Sequence, residues 1–411
     1  MNFQEKLRLY AKTAVRVGVN LKPNQDLVVN ASVECLEVAR LVVEEAYEAG
    51  AKTVTLKLLD DYITYLRYKK APDTSFEDEV PPYQIAESKY RLDNKCAFLT
   101  IKSTDPELLK DCDPKRVSGW SKKMSIAMEE NSARLMNNES QWLVLTAPTK
   151  SVSTLIFPNE TPEKAMELHW EEIFKACRID TPDPVVAWKE HQNAIHAKVD
   201  WLNEMNFDSL QFVNSDKSTN INIGLVKNHV WAGAGDTTVD GHPFMPNLPT
   251  EESFCMPDSQ NVNGVVKSTK PLNYQGNLID NFTLTFKDGK VVDFTAETGY
   301  EALKNMLDAD EGARRIGEVA LVPDDSPISN SGLIFYNTLF DENASCHLAL
   351  GRAYPTNIKG GSEMSKEELI KNNANSSIIH VDFMIGSADL NITGIKSDGK
   401  EVPVFVSGNW A

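Results

Sequence analysis

The sequence predicts an α/β N-terminal domain with a largely parallel sheet, followed by an α+β C-terminal domain rich in antiparallel strands. Three observations lead there. Helix-like and strand-like stretches alternate up to the break Asp180-Thr-Pro-Asp-Pro184. From residue 208 onward short β-rich runs dominate, punctuated by Asp288-Gly289 and Asp398-Gly399. The chain has 411 residues, and single hydrophobic cores stop growing near about 250–300 residues. The two domains are therefore expected at 1–182 and 183–411.

In the first domain, Asp26-Leu-Val-Val-Asn30 reads as a short buried strand. Ser32 is placed to cap the next helix, in which Leu36, Ala39, Val43 and Tyr47 share a face and Gly50 marks the end. Residues 52–59 are β-rich, which completes a βαβ unit and calls for a parallel sheet with a right-handed crossover. Further strands are expected at Cys96-Ala-Phe-Leu-Thr-Ile101 and Trp142-Leu-Val-Leu-Thr146, with helix around 118–136 between them. Pro158, Thr161 and Pro162 mark a turn before a helix over about 163–177, and a long helix at roughly 185–204 follows the break. In the second domain, Asp288-Gly289 joins Thr283-Leu-Thr-Phe286 to Val291-Val-Asp-Phe294 as a hairpin. A helix near 298–311 and a strand at Ile316-Gly-Glu-Val-Ala-Leu-Val322 come next.

Composition excludes several classes. A formal net charge of −17 opposes binding to nucleic acid or to an anionic membrane surface. It favours divalent cations and a substrate with a positive end. No apolar run approaches the roughly 20 residues of a membrane span. The N-terminus is charged and helix-like and does not read as a secretory signal. Cys35, Cys96, Cys112, Cys177, Cys255 and Cys346 are scattered, which suits reduced thiols and a cytoplasmic location. There is no Gly-x-Ser-x-Gly elbow, phosphate loop or His-Glu-x-x-His motif.

The informative segment is Ser377-Ile-Ile-His-Val-Asp-Phe-Met-Ile385. It reads as a buried strand, and residues two apart in a strand share a face. His380 and Asp382 thus stand side by side on an apolar surface, where burial is costly unless something pairs with them. A divalent metal would do so, and so would a plain His–Asp hydrogen bond between strands. His347 and Glu342 lie in another apolar context, and Glu342 could equally be a capping acid. Glu318 heads an apolar strand, with an exposed strand end as the alternative. Glu251 and Glu252 follow Thr250, and there the residues themselves favour the first turn of a helix capped by Thr250. Tyr354 beside Pro355 reads as a packing residue. His169, His191 and His196 lie on polar helices and are expected at the surface, while His229 and His242 are weaker candidates for a place near the site. A carboxylate-rich set with two imidazoles has too many acids for one tetrahedral zinc and suits a pair of divalent ions, the standard device for hydrolysing amides and esters.

Asn247-Leu-Pro-Thr-Glu-Glu252, Asn263-Gly-Val-Val266 with Ser268-Thr-Lys-Pro271, Arg315-Ile-Gly-Glu-Val-Ala320, Asn343-Ala-Ser-Cys-His347 and His380-Val-Asp382 together resemble the aminopeptidase T family of bacterial metallo-aminopeptidases. The resemblance extends over essentially the whole chain. It implies a C-terminal domain with a binuclear metal site, two divalent ions (zinc, cobalt, manganese or magnesium) and a homodimer. It marks Glu252, Glu318, His347, His380 and Asp382 as metal ligands, raising Glu252 above the helix-cap reading, and Glu342 as a ligand or neighbour. It points to Tyr354 as an active-site residue beside Glu318. The implied activity is removal of N-terminal residues from peptides with a free α-amino group, by a water activated between the two metals. Another binuclear amide or ester hydrolase would use the same ligands, and a non-enzymatic metal-binding protein, its coordination shell filled by protein ligands, is the further alternative.

Overall fold

The computed structural model describes residues 1–274 and 277–411. Contacts divide the chain into two units, Met1–Glu190 with Gly235–Pro249, and His191–Ala234 with Thr250–Ala411.

The first unit is built on four parallel strands, β1 (Asp26–Ser32), β2 (Thr53–Leu59), β3 (Ala97–Ile101) and β4 (Trp142–Leu145), in the order β2-β1-β3-β4. Central β1 carries three successive buried residues, Leu27, Val28 and Val29, because helices cover both faces of a parallel sheet. Ser32 caps a short 3₁₀ turn that leads into the helix Leu36–Glu48. The buried face of that helix is Val38, Ala39, Val42 and Ala46 rather than the expected stripe ending at Tyr47. Tyr47 is exposed and its hydroxyl accepts a hydrogen bond from the Val54 N–H, 3.2 Å away, at the start of β2.

Two further features of this unit differ from the sequence reading. The helix Pro184–Met205 starts at the proline-rich break, but the contact division falls within it, at residues 190 and 191. Residues 235–249, assigned by continuity to the second domain, pack with the first. Val144 N–H donates to the Pro246 carbonyl at 2.7 Å, Met245 N–H to that of Gly18 at 2.8 Å, and Lys22 pairs with Asp240 at 2.8 Å. His169 is not at the surface either. It is buried in the helix Pro162–Ala176, with Nδ1 3.0 Å from Ser153 Oγ.

The second unit holds two antiparallel sheets. The larger one is organised around the hairpin Asn277–Lys287 and Lys290–Thr298. Asp288 and Gly289 have φ of +49° and +79°, the left-handed pair that a two-residue hairpin turn requires. The following helix, Tyr300–Leu307, is shorter than expected. The second sheet has the order His380–Met384, His347–Gly351, Ile316–Leu321, Ser253–Cys255, Ala232–Gly233. One face of it points into the shared core. Val319, Leu321, Leu348, Leu350 and Phe383 pack there with Phe212, Ile223 and Leu284 of the larger sheet, and the rings of Phe282 and Phe383 lie 5.5 Å apart. Among the described residues no helix is long and apolar enough to cross a membrane.

Burial holds the His169 imidazole neutral, its pKa lowered to about 3. The unfolded chain binds this proton near pH 6.5, so stability contributed by neutral His169 is present above that value and is lost progressively as pH falls toward 3. Urea unfolding at pH 7.5, 6.5 and 5.5 should show the wild type losing up to about 1.4 kcal/mol per pH unit relative to His169→Asn below pH 6.5.

Candidate metal centre

Strand register assembles the site. Glu318 pairs with Ala349, and Ala349 with Asp382, so the three form one row across neighbouring strands. His347 lies two residues before Ala349 and His380 two before Asp382, on the same face. This is the face opposite the apolar core. All six residues of the Glu318 strand are buried, so Glu318 is an interior residue and not an exposed strand end. The His380 strand is at the sheet edge, and its first three residues are half-buried rather than fully buried as expected. Gly351 stands opposite His380 at φ +109°, and a Cβ there would lie 2.1 Å from the Ile379 carbonyl oxygen. Only glycine lets the two strands approach this closely.

Glu252 enters from the neighbouring strand. The segment carrying it runs extended into Ser253–Cys255, so the helix-cap reading of Thr250-Glu-Glu252 does not apply. The backbone N–H of Glu251 donates to Asn343 Oδ1 at 2.7 Å, which ties this segment to the chain just before His347. Glu251 is turned to His191, with Oε2 3.3 Å from Nε2.

The acids converge on the Nε2 atoms of the two histidines. His347 Nδ1 donates to the Ser345 carbonyl at 3.1 Å, and His380 Nδ1 to that of Arg352 at 2.7 Å. A carbonyl can only accept, so both rings carry their proton on Nδ1 and present Nε2 to the site. His347 Nε2 lies 3.3 Å from Glu252 Oε2 and 3.6 Å from Glu318 Oε1. His380 Nε2 lies 3.9 Å from Glu318 Oε2 and 3.4 Å from Asp382 Oδ1. Glu318 therefore turns one oxygen toward each histidine. Two ligand groups result, Glu252–Glu318–His347 and Glu318–His380–Asp382, with donor atoms of each within 4.8 Å of one another.

The electrostatics show how much positive charge this face demands. Burial opposes charge on His380, but Asp382 and Glu318 outweigh it and lift its pKa to about 10. For His347 the same opposition is overcome by Glu252 and Glu318. Burial pushes the Glu318 carboxyl up. Asp382 Oδ1 is buried and answered only loosely, by His380 Nε2 3.4 Å away. Carboxylates and Nε2 atoms so arranged, with a buried oxygen held this loosely, fit a divalent cation.

Glu342 is the last residue of the helix Thr338–Glu342, whose N-cap is Asn337, so it is not a capping acid. It belongs to neither ligand group, yet burial and the charges of Asp382 and Glu252 raise its pKa well above the ordinary range. Tyr354 is more than a packing residue. Its ring meets that of His380 edge-on at 4.8 Å, and burial together with Glu318, Asp382, Glu342 and Glu252 keeps its phenol protonated. Sequence reasoning missed Phe254, 6.3 Å from the Tyr354 ring, and Ala349, whose small side chain separates Glu318 from Asp382. It also missed His191 as the partner of Glu251. His229 and His242 turn ring nitrogens to backbone carbonyls of Val226 and Asn20 and join neither group, and His196 is exposed.

Comparison with known proteins identifies the family to which the chain belongs. A family model described as thermophilic metalloprotease (M29) matches residues 3–410. The chain is 48% identical over 409 residues to "Aminopeptidase 2" of Geobacillus stearothermophilus, covering 100% of this chain and 98% of that protein. It is 48% identical over 410 residues to "Aminopeptidase AmpS" of Bacillus subtilis, covering 100% and 99%. The solved structure of wild-type AmpT from Thermus thermophilus matches with a TM-score of 0.94 at 35% identity, covering 100% of both chains.

Ala349 supplies a direct check on the row. Ala349→Leu should fill the space between Glu318 and Asp382, destabilise the protein by about 1–3 kcal/mol through overpacking, and lower bound metal per chain. Elemental analysis of dialysed wild type and variant would measure it.

Proposed function

The chain belongs to the thermophilic metalloprotease family (M29) and is a metallo-aminopeptidase, and from that premise we propose that Glu252, Glu318, His347, His380 and Asp382 would hold two divalent ions, with Glu318 contributing to both groups. The observation that carries this reading is the division of Glu318, Oε1 toward His347 and Oε2 toward His380. Glu252 and His347 would complete one site, and His380 and Asp382 the other. Glu342 lies within electrostatic reach of both as a further ligand or close neighbour. The donor set accepts zinc, cobalt, manganese or magnesium.

Bound ions of this kind supply Lewis acidity and a water made nucleophilic near neutral pH. The residues of the chain do the rest. The row Glu318–Ala349–Asp382 keeps the acids at fixed spacing, and the Nδ1 hydrogen bonds hold both imidazoles in the ligating tautomer. The protonated Tyr354 hydroxyl is a donor for the carbonyl oxygen of the scissile amide as charge develops on it. The concentration of acids attracts the free α-amino group of a peptide, which makes the enzyme an exopeptidase.

A cytoplasmic location and a homodimer belong to the same proposal. The six cysteines are free and buried, as suits a reducing compartment. Leu59, Tyr62 and Ile63 are large apolar side chains exposed together at and after β2, as suits a subunit contact. The aminopeptidase relatives weigh against a purely structural role for the metal.

Hydrolysis of leucyl-para-nitroanilide and its N-acetylated twin tests the reading. Cleavage of the free-amine substrate alone is expected, lost on chelation and restored by a divalent metal. Equal cleavage of both would count against an aminopeptidase. Glu318→Gln should abolish turnover in a folded protein. Tyr354→Phe should lower kcat by about 10²–10³-fold while metal content stays at the wild-type level.

A further inference from the structure

A cleft adjoins the ligand cluster on the side of Asp382, and the reaction does not yet use it. Asp382 and Met384 project from the same strand face, and both line the cleft. Pro271, Leu272, Ile334 and Tyr336 form further walls. We propose that this cleft receives the side chain of the substrate's N-terminal residue and selects apolar over basic ones. The inference rests on the aminopeptidase reading and adds to it the choice of substrate.

Two arguments lead there. The first is connectivity. In an N-terminal residue one Cα bears the amine, the scissile carbonyl and the side chain. With amine and carbonyl at the ligand cluster, the side chain must enter space that touches the cluster. The cleft does so through Asp382. The second is chemistry. Apolar side chains form much of the wall, beside the uncharged polar Asn273, Asn337 and Thr338, and Met384 is unbranched and adaptable to side chains of different shape. Of the two acids in the lining, Asp382 belongs to the proposed metal centre and Asp341 is engaged elsewhere. It accepts from Phe335 N–H at 2.8 Å with Oδ1 and from Asn337 N–H at 3.1 Å with Oδ2, and Lys270 also acts on it electrostatically. It is therefore a poor counter-charge for a lysyl or arginyl side chain. Instead it clamps the turn that presents Tyr336, held at φ +52°, a backbone setting uncommon for a bulky residue and maintained only where its surroundings enforce it.

The test is a set of kcat/KM values on leucyl-, phenylalanyl-, alanyl- and lysyl-para-nitroanilide for wild type, Tyr336→Ala and Thr338→Trp. Thr338 is exposed at the rim of the cleft, so a large residue there narrows the cleft without burdening the core. The wild type should prefer leucyl to lysyl. Tyr336→Ala should lower the leucyl-to-alanyl ratio by about tenfold, and Thr338→Trp the phenylalanyl-to-alanyl ratio by a similar factor. Should Tyr336→Ala fail to fold, Thr338→Trp still decides. Ratios unchanged to within about twofold, with all substrates falling together, would overturn the assignment. A wild-type preference for lysyl would overturn the apolar selection. Absence of cleavage of every free-amine substrate, with metal supplied, would instead sink the aminopeptidase reading and this inference with it.

Discussion

The second unit depends on one cross-strand row, Glu318–Ala349–Asp382, and on the charge it forces together. Two carboxylates on the strands that flank the His347–Gly351 strand, joined by Glu252 and two imidazoles, occupy a face that is largely removed from water. Like charges at this spacing in a low dielectric repel strongly. The raised pKa values of His347 and His380 show how far the acids draw positive charge toward themselves. A divalent cation would answer that demand more fully than a proton, because several oxygens can share it.

The same strands satisfy an opposite requirement on their other face. Val319, Leu321, Leu348, Leu350 and Phe383 belong to the apolar core. A slip of one residue in any of these strands would exchange the two faces, placing acids in the core and leucines where the acids now stand. The hydrophobic core therefore specifies the register, and the register specifies which acids and imidazoles share the opposite face. Chemistry and stability are two faces of one set of hydrogen bonds. Gly351 belongs to this arrangement, since a side chain at its position would press on the strand that carries His380 and Asp382.

Much of this was legible along the chain. The βαβ alternation anticipated the parallel sheet, and Asp288-Gly289 anticipated a two-residue hairpin, because turn chemistry is local. The pattern His380-Val-Asp382 predicted a shared face because the strand period is two. The misreadings have a common cause. His169 sits in a polar stretch but is buried, His191 meets Glu251, and residues 235–249 join the first unit. Each depends on a partner distant in sequence. Thr250-Glu-Glu252 resembled a helix start because caps and acids have that local signature, yet pairing of Ser253–Cys255 with the Glu318 strand draws the segment into an extended form.

By itself the sequence determined which residue types were available and their local periodicity. An alternating pattern fixes which side chains share a face, and an acid within an apolar run announces a cost that something must offset. Which acids meet was decided only by tertiary structure. Glu252, Glu318, His347 and His380 are far apart along the chain, and strand pairing alone brings their donor atoms within 4.8 Å in two groups that share Glu318. The physical reason is that hydrogen-bonded register is a relation between strands, set by how two sheets bury a common core, and no single segment contains it.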